Sequence, residues 1–483
     1  MAVINNRFKM MFASLVLLAA GFFWLTRPVA AQLDSSVKSP VIRSQVNTSA
    51  LTYTTWLPLI ANHDTSGPYG PWAVQMYDRL DAEKGYDYAV AAGVRWMRLR
   101  VSWFDIEPTN TTPEFYQWET LDKNISNAVT AGVNLVVTLE GNPTWASAQP
   151  HGPVNNLADF QEFVGAVAAR YPQVHYWEIY NEPDNISNFG RQGAVYAAHL
   201  KAAYSAIKSA NPQAQVVMGG IALDWFTDEG GSFDRNFLND MLTACTGTCF
   251  DIGNFHYYPV YRANWEKYGR DIIGKAAGFR QMLAAHGYSR PVMSTETSWV
   301  VSPRPPTDWG GEAVQARYVP KTMIRGAAAN LLMTNWYAMT DVDPDQPGLL
   351  DGAENAYQPR PSYYALVRLN EQLHAARYDR PLTFAETRSS YLEGYVFTDK
   401  VGTSSPERVD VIWYDCPSLV VGIGTLPTDC TSSAHYTVND AKIGVTDHLT
   451  GSLQILTDAS DGVIDGKIKL MVDRNPIYIH YNP

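Results

Sequence analysis

Between about residue 68 and residue 378 a short apolar run and a longer helical run alternate eight times. The apolar runs are GPWAVQMY, VRWMRLRVSW, VNLVVTLEG, VHYWEIYNE, AQVVMGGIAL, FDIGNFHYY, PVMSTETSW and LLMTNWYAM. Between them, stretches such as LADFQEFVGAVAARY and AVYAAHLKAAYSAIKSA place apolar residues at i, i+3 and i+4, the spacing of one helical face. Gly or Asn closes several of these helices just before the next strand, as in VTAGVN, IKSANPQAQ and LAAHGYSRP. The last unit ends in the helical run PSYYALVRLNEQLH.

Strands that alternate with helices pair in parallel, because each helix carries the chain back to the start of the next strand. Eight such units fit a closed (β/α)8 barrel with some long loops. A doubly wound open sheet is the rival, but the Gly-rich phosphate loop GxGxxG that usually follows its first strand is absent. After about residue 380 the helical period stops. LEGYVFTDK, RVDVIWYD, LVVGIG, AHYTVND, GSLQILTD, KIKLMVD and PIYIHY alternate with period two and are broken by Gly, Asp, Asn and Pro. That texture predicts a small antiparallel β-sandwich. The expected fold is therefore α/β, a (β/α)8 TIM barrel over 68–378 followed by a C-terminal β-sandwich over 379–483.

The N-terminus reads as an export signal. Arg7 and Lys9 precede the uncharged run Met10–Thr26, and Val29-Ala30-Ala31 supplies small residues before a cleavage point. Residues 1–31 are expected to be a signal peptide, and 32–67 a linker with one short apolar strand, TTWLPLI. The run is short for a membrane span, which leaves an uncleaved anchor as the alternative. The protein is thus expected to be secreted, extracellular or periplasmic. Four cysteines in such a chain suggest disulfides, with nearest neighbours paired: Cys245 with Cys249 and Cys416 with Cys430. A metal site at Cys245-Thr-Gly-Thr-Cys249 lacks a second ligand pair. Glycosylation sequons begin at Asn47, Asn110, Asn124 and Asn185.

Net charge −11 argues against a nucleic-acid partner, which would need a basic footprint. The 14 Trp and 28 Tyr fit either a large aromatic core or stacking against sugar rings. Oligomeric state is not legible.

Chemistry in a (β/α)8 barrel collects at the C-terminal ends of the strands. The fourth strand runs through WEIYNEPD, Trp177 to Asp184, and places Asn181 and Glu182 at its end. The seventh ends near Glu296, the sixth in His256-Tyr257-Tyr258, and the second and eighth carry Arg98 and Trp336. Distant in sequence, these residues would meet at one mouth. Two facing carboxyls suit cleavage of a glycosidic bond: one protonates the leaving oxygen, and the other attacks the anomeric carbon or activates water. Each also has a bland alternative. Glu182 could be a turn residue, Glu296 a helix-start acid, His256 a core histidine, and Arg98 or its neighbour Arg100 part of a structural ion pair.

On the motifs Asn181-Glu182-Pro183, Thr295-Glu296-Thr297, His256-x-Tyr258 and Arg98 in WMRL, the barrel resembles the glycoside hydrolases of clan A. The stretches Trp103 through Glu107-Pro108, YQWETLD, Asn142-Pro143-Thr144-Trp145-Ala146, and Gly348-Leu349-Leu350 before Arg360-Pro361-Ser362-Tyr363 are similar to families 39 and 5 of that clan, without fitting either family throughout. The resemblance implies a retaining mechanism, with Glu182 as acid/base and Glu296 as nucleophile. It implies that Asn181 binds the sugar 2-hydroxyl, that Tyr258 touches the nucleophile, that Arg98 lies beneath it, and that Trp336 floors the −1 subsite. Trp145 and Trp299 are further sugar-platform candidates, and Glu140, Asp341 and Asp343 are acids near the mouth. No metal or cofactor is implied, because two carboxylates suffice. A secreted β-glycoside hydrolase acting on β-linked poly- or oligosaccharides is expected, with a transglycosylase or a non-catalytic carbohydrate-binding protein as rivals. Asn181 and Glu182 are adjacent, so both can reach one sugar only if the chain kinks there, the place for a bulge.

Overall fold

The computed structural model describes residues 70–301, 311–341, 346–373, 376–399, 407–415 and 432–481. The expected signal peptide and linker, Asp343, and Cys416 with Cys430 lie outside these residues.

All eight expected barrel strands form: β1 Trp72–Gln75, β2 Trp96–Ser102, β3 Asn134–Glu140, β4 Tyr176–Ile179, β5 Gln215–Met218, β6 Gly253–Tyr257, β7 Val292–Thr297 and β8 Thr334–Trp336. Neighbours pair in parallel in the order β5-β4-β3-β2-β1-β8-β7-β6. Bridges between Val217 and Ile252 and between Ile221 and Phe255 join the two ends, so the sheet curls into a nearly closed barrel. Helices cover its outside, among them α1 Glu119–Ala131, α2 Leu157–Arg170, α3 Gly193–Ala210, α4 Ile272–Ala285, α5 Glu312–Ala328 and α6 Pro361–Leu373. Asn156 caps α2 by accepting from the Ala158 N–H, and Gly132 ends α1 in the left-handed conformation that glycine adopts without steric cost. Among the described residues, no helix is long and apolar enough to cross a membrane.

Side chains fill the barrel in layers, because every second strand residue points inward. The lower layer is apolar: Ala73, Val136, Tyr176, Val217, Ile252, Met293 and Met333 pack as one cluster. Two residues further along their strands, Gln75, Arg98, Thr138, Glu178, Asn254 and Thr295 are buried and polar. That polar layer carries the site.

Two antiparallel sheets follow the barrel among the described residues. Strands β9 Ala376–Pro381, β10 Leu392–Asp399, β11 Arg408–Tyr414, β13 Lys442–Asp447, β14 Gln454–Thr457 and β16 Ile477–Tyr481 form a six-stranded sheet, ordered β14-β13-β16-β11-β10-β9. Strands β12 Ser433–Val438 and β15 Ile468–Asp473 form a two-stranded sheet. On β11, Ile412 and Tyr414 pack with Tyr436, Val438, Ile468 and Leu470 of the two-stranded sheet, while Val409, Val411 and Trp413 join the barrel's core. The larger sheet is thus apolar on both faces. Strand β9 begins inside the stretch expected to close the barrel, and it pairs with β10, not with a barrel strand. Its sequence ARYDRP is charged and half-exposed, as an edge strand tolerates.

Cys245 and Cys249 form a disulfide. Asn124 is buried, with its carbonyl oxygen accepting from the Leu80 N–H and its amide donating to the Asp78 carbonyl, so this sequon has no free amide to glycosylate.

Candidate active site

Arg98 is the hub. Its guanidinium is fully buried, and every arm is used. Nε and Nη2 donate to Glu178 at 2.6 and 3.0 Å, Nη1 to Glu296 Oε1 at 2.7 Å and to Gln75 at 3.1 Å, and Nη2 to Asn181 Oδ1 at 2.6 Å. Burial would lower its pKa, but the charges of Glu178 and Glu296 outweigh burial and raise it. Thr138, Thr295 and the Gly220 N–H also donate to Glu178. Glu178 is therefore the fixed counter-charge of the arginine. Sequence reasoning missed it, although one acid inside the otherwise apolar run of β4 was a signal.

Glu296 is the more enclosed of the two mouth glutamates. Its side chain is 7% exposed, against 21% for Glu182. Burial alone would raise its pKa, yet His256, Arg98 and Arg100 together hold it below the ordinary glutamate value. Tyr258 donates to its Oε2 at 2.9 Å. All four groups favour the charged form, so Glu296 is an anion at neutral pH.

His256 links the pair. Nδ1 is 3.0 Å from Glu182 Oε1 and 3.4 Å from Glu296 Oε2, and Nε2 is 3.1 Å from Thr295 Oγ1. Burial pushes the imidazole down, but the two glutamates prevail and its pKa is raised. A Cβ on Gly220 would stand 2.0 Å from the His256 ring, so only glycine lets the imidazole lie there.

Two backbone irregularities aim the glutamates, and neither is the expected bulge at Asn181–Glu182. Strand β4 stops at Ile179, and Tyr180 (φ 60°) and Glu182 (φ 42°) both take positive φ. This left-handed turn, costly for residues with a Cβ, is held from outside. Asn188 donates to the carbonyls of Asn181 and Glu182, and Tyr180 Oη donates to Asn142. Asp184, the last residue of WEIYNEPD, accepts from the N–H groups of Ala222 and Leu223. Burial, together with the nearby Glu182 charge, pushes the Asp184 pKa up to about 7. The bulge lies instead in β7. Phe255 pairs with Ser294 and His256 with Glu296, so Thr295 is skipped. Consecutive residues can then both turn inward: Thr295 reaches Glu178 and Glu296 reaches Arg98.

The remaining expected residues have partners of their own. Trp336 is fully covered, with its indole N–H on the Pro347 carbonyl and its ring 6.3 Å from Tyr318, so it exposes no surface to a ligand. Trp299 packs on Tyr318 at 4.7 Å. Trp145 donates to the Glu107 carbonyl and packs edge-on against Trp103. Asp341 is occupied by Arg360 and the Gly348 N–H, and Glu140 by Arg100.

Glu182, His256 and Glu296 are the one group of acid and histidine side chains, among the described residues, close enough to share an ion. Arg98 already supplies positive charge to Glu296, and both ring nitrogens of His256 have protein partners. The donor set fits a proton-handling pair of carboxylates better than a cation.

Such a barrel with such a mouth defines a glycoside hydrolase of clan A. The sequence model for Cellulase (glycosyl hydrolase family 5) matches residues 59–300, and the chain belongs to that family. Among solved structures, it is similar to a family 39 glycoside hydrolase from Bacteroides cellulosilyticus WH2, at 18% identity and TM-score 0.62, over 85% of this chain and 81% of that one. It is also similar to a glucosidase from Croceicoccus marinus, at 14% identity and TM-score 0.59, over 82% and 90% of the two chains. A GH30 endoxylanase from Clostridium papyrosolvens C71 matches at 11% identity and TM-score 0.55, over 86% and 97%. These likenesses speak to the fold. No curated protein matches the chain.

Proposed function

We propose that the protein is an exported, retaining β-glycoside hydrolase, with Glu182 as acid/base and Glu296 as nucleophile. The observation that carries this reading is the approach of the two carboxylates, whose nearest oxygens lie within 4.8 Å of each other. Retaining enzymes hold their carboxyl groups about 5–5.5 Å apart, while inverting enzymes leave roughly 6.5–9.5 Å for a water.

The asymmetry of the pair supports this division of roles. Glu296 is enclosed and ionised, ready to attack the anomeric carbon. Glu182 is more open and faces solvent, where a leaving group and then a water can meet it. In the first step Glu296 forms a bond to C1 as the bond to the leaving oxygen breaks, and that oxygen takes the Glu182 proton. In the second step Glu182 removes a proton from water, the water oxygen bonds to C1, and Glu296 leaves as a carboxylate. Asn181, held by Arg98, is the group for the sugar 2-hydroxyl.

β-Linked glucans, mannans and xylans are the substrate classes to try. Export rests on the N-terminal pattern and on the Cys245–Cys249 disulfide, which suits an oxidising compartment. The first test is sugar release from a panel of β-linked polysaccharides, oligosaccharides and aryl glycosides by wild type and Glu296→Ala. Turnover by wild type alone supports the reading. Equal turnover by both sinks the nucleophile, and turnover by neither, on folded protein, sinks the hydrolase.

A further inference from the structure

Two arginines on β2 point into the barrel, and only one is consumed by the catalytic cluster. Arg98 is fully buried, while Arg100, two residues nearer the mouth, is 27% exposed. Its Nε donates to Glu140 Oε1 at the end of β3. No group among the described residues takes its two terminal nitrogens. Glu140 is 4% exposed, and its other oxygen lies 3.4 Å from Nδ1 of His151, which is 39% exposed. Arg100 is thus the exposed member of the pair, while Glu140 Oε2 is covered and has no hydrogen-bond donor among the described residues. The Glu296 carboxylate also acts on Arg100, so the arginine lies within electrostatic reach of the enclosed glutamate.

We infer that Arg100 and Glu140, flanked by His151, form a recognition dyad for neighbouring hydroxyls of a neutral glycon, the sugar that becomes bonded to Glu296. A guanidinium offers donors only and a carboxylate acceptors only. Side by side, they match a vicinal diol in which one hydroxyl accepts and the other donates. An acidic sugar fits poorly, because its carboxylate would enter beside Glu140, Glu178 and Glu296, three carboxylates already set against Arg98 and Arg100. The inference rests on the proposed hydrolase reading and deepens it by naming the glycon class.

A site built to hydrogen-bond a hydroxyl rejects the analogue that lacks it. The test uses p-nitrophenyl β-D-glucoside, mannoside and galactoside, their 3-deoxy and 4-deoxy glycons, and the β-D-glucuronide. Wild type should lose roughly 10–100-fold in kcat/KM on one deoxy glycon, the range for hydrogen bonds to charged groups. Arg100→Met and Glu140→Gln should lose a similar factor on the parent glycoside and nothing more on the deoxy one. The double variant Arg100→Met, Glu140→Leu leaves no carboxylate unpaired and guards against misfolding. Equal loss by the variants on parent and deoxy glycosides overturns the dyad, as does a wild-type preference for the glucuronide. Calorimetric binding of the same glycosides to Glu296→Gln separates the two ideas. Dyad-dependent binding without wild-type turnover sinks hydrolysis and keeps the dyad, while turnover with unselective losses sinks the dyad alone.

Discussion

Glu178 Oε2 lies 2.6 Å from Arg98 Nε, and neither side chain is exposed to solvent. This buried pair sets the position of the guanidinium that holds both Glu296 and Asn181. Glu178→Gln keeps the shape and removes the counter-charge. It should lower kcat on the order of 10²-fold, the scale expected when reacting groups shift by about 1 Å. Binding of substrate should change far less. Steady-state kinetics beside calorimetric binding to the same variant checks this, and a loss confined to KM contradicts it.

Gly220 is a packing requirement for the observed position of His256. A methyl group there would meet the His256 ring at 2.0 Å, and the backbone φ is not the obstacle. Gly220→Ala should displace the imidazole from between Glu182 and Glu296, with loss of most activity and a cost in stability of about 1–3 kcal/mol, typical of overpacking. Gly287→Ala, where a Cβ would meet nothing within 4 Å but φ is +79°, provides a strain-only comparison. It should cost stability without the same loss of activity.

Tyr258 donates to the Glu296 carboxylate and so favours its charged form. Tyr258→Phe removes that donor, and the Glu296 pKa should rise. On the proposed mechanism the acid limb of kcat/KM reports protonation of Glu296, so it should move to higher pH. Activity near neutral pH should fall about tenfold at most. A pH–rate profile that keeps its acid limb while falling everywhere would argue that the hydroxyl acts on the substrate instead.

Barrel and C-terminal sheet belong to one compact unit, Pro58–Pro483, and a buried ion network joins them. Arg325 of α5 donates to Asp271, to both oxygens of Glu393 on β10, and to Asp415. Burial would raise Glu393 and Asp415, but Arg325 outweighs it and holds both below their ordinary values. Carboxylates depressed in the folded state stabilise fully above their unfolded pKa, about 4, and lose that contribution as pH falls through the folded values. Arg325→Met should cost roughly 3–5 kcal/mol at pH 7, as for one partner removed from a buried pair. It should also flatten the loss of stability below pH 4. Denaturant unfolding at both pH values measures this. A variant as acid-sensitive as wild type would show that the network does not set the pH dependence.

The barrel was legible because each buried strand was a short apolar run set apart by a helix with its own period. Strands β9 and β13 were not. ARYDRP is charged along an edge, and KIGVTD carries a glycine and borders a turn. The mouth residues were legible because polar groups at the ends of apolar strands stand out, and WEIYNEPD was the clearest case. Its turn is held by Asn188, and its last residue ties it to the loop after β5. The polar layer below went unread because Thr138, Asn254 and Thr295 look like ordinary strand residues until the inward parity of all eight strands is known. The β7 bulge was also invisible, since it depends on how β6 and β7 pair and not on any residue within TET. Trp336 shows the opposite error. A tryptophan at a strand end suggested a platform, but its ring is covered and its N–H is bound.

The central claim is double displacement between Glu182 and Glu296. The most direct test is proton NMR of the first product released from an active β-glycoside, read before mutarotation. Two successive inversions at C1 give the β-anomer first, and that is the predicted result. The α-anomer appearing first would mean that water attacks directly, and would contradict the assignment of Glu296 as the nucleophile.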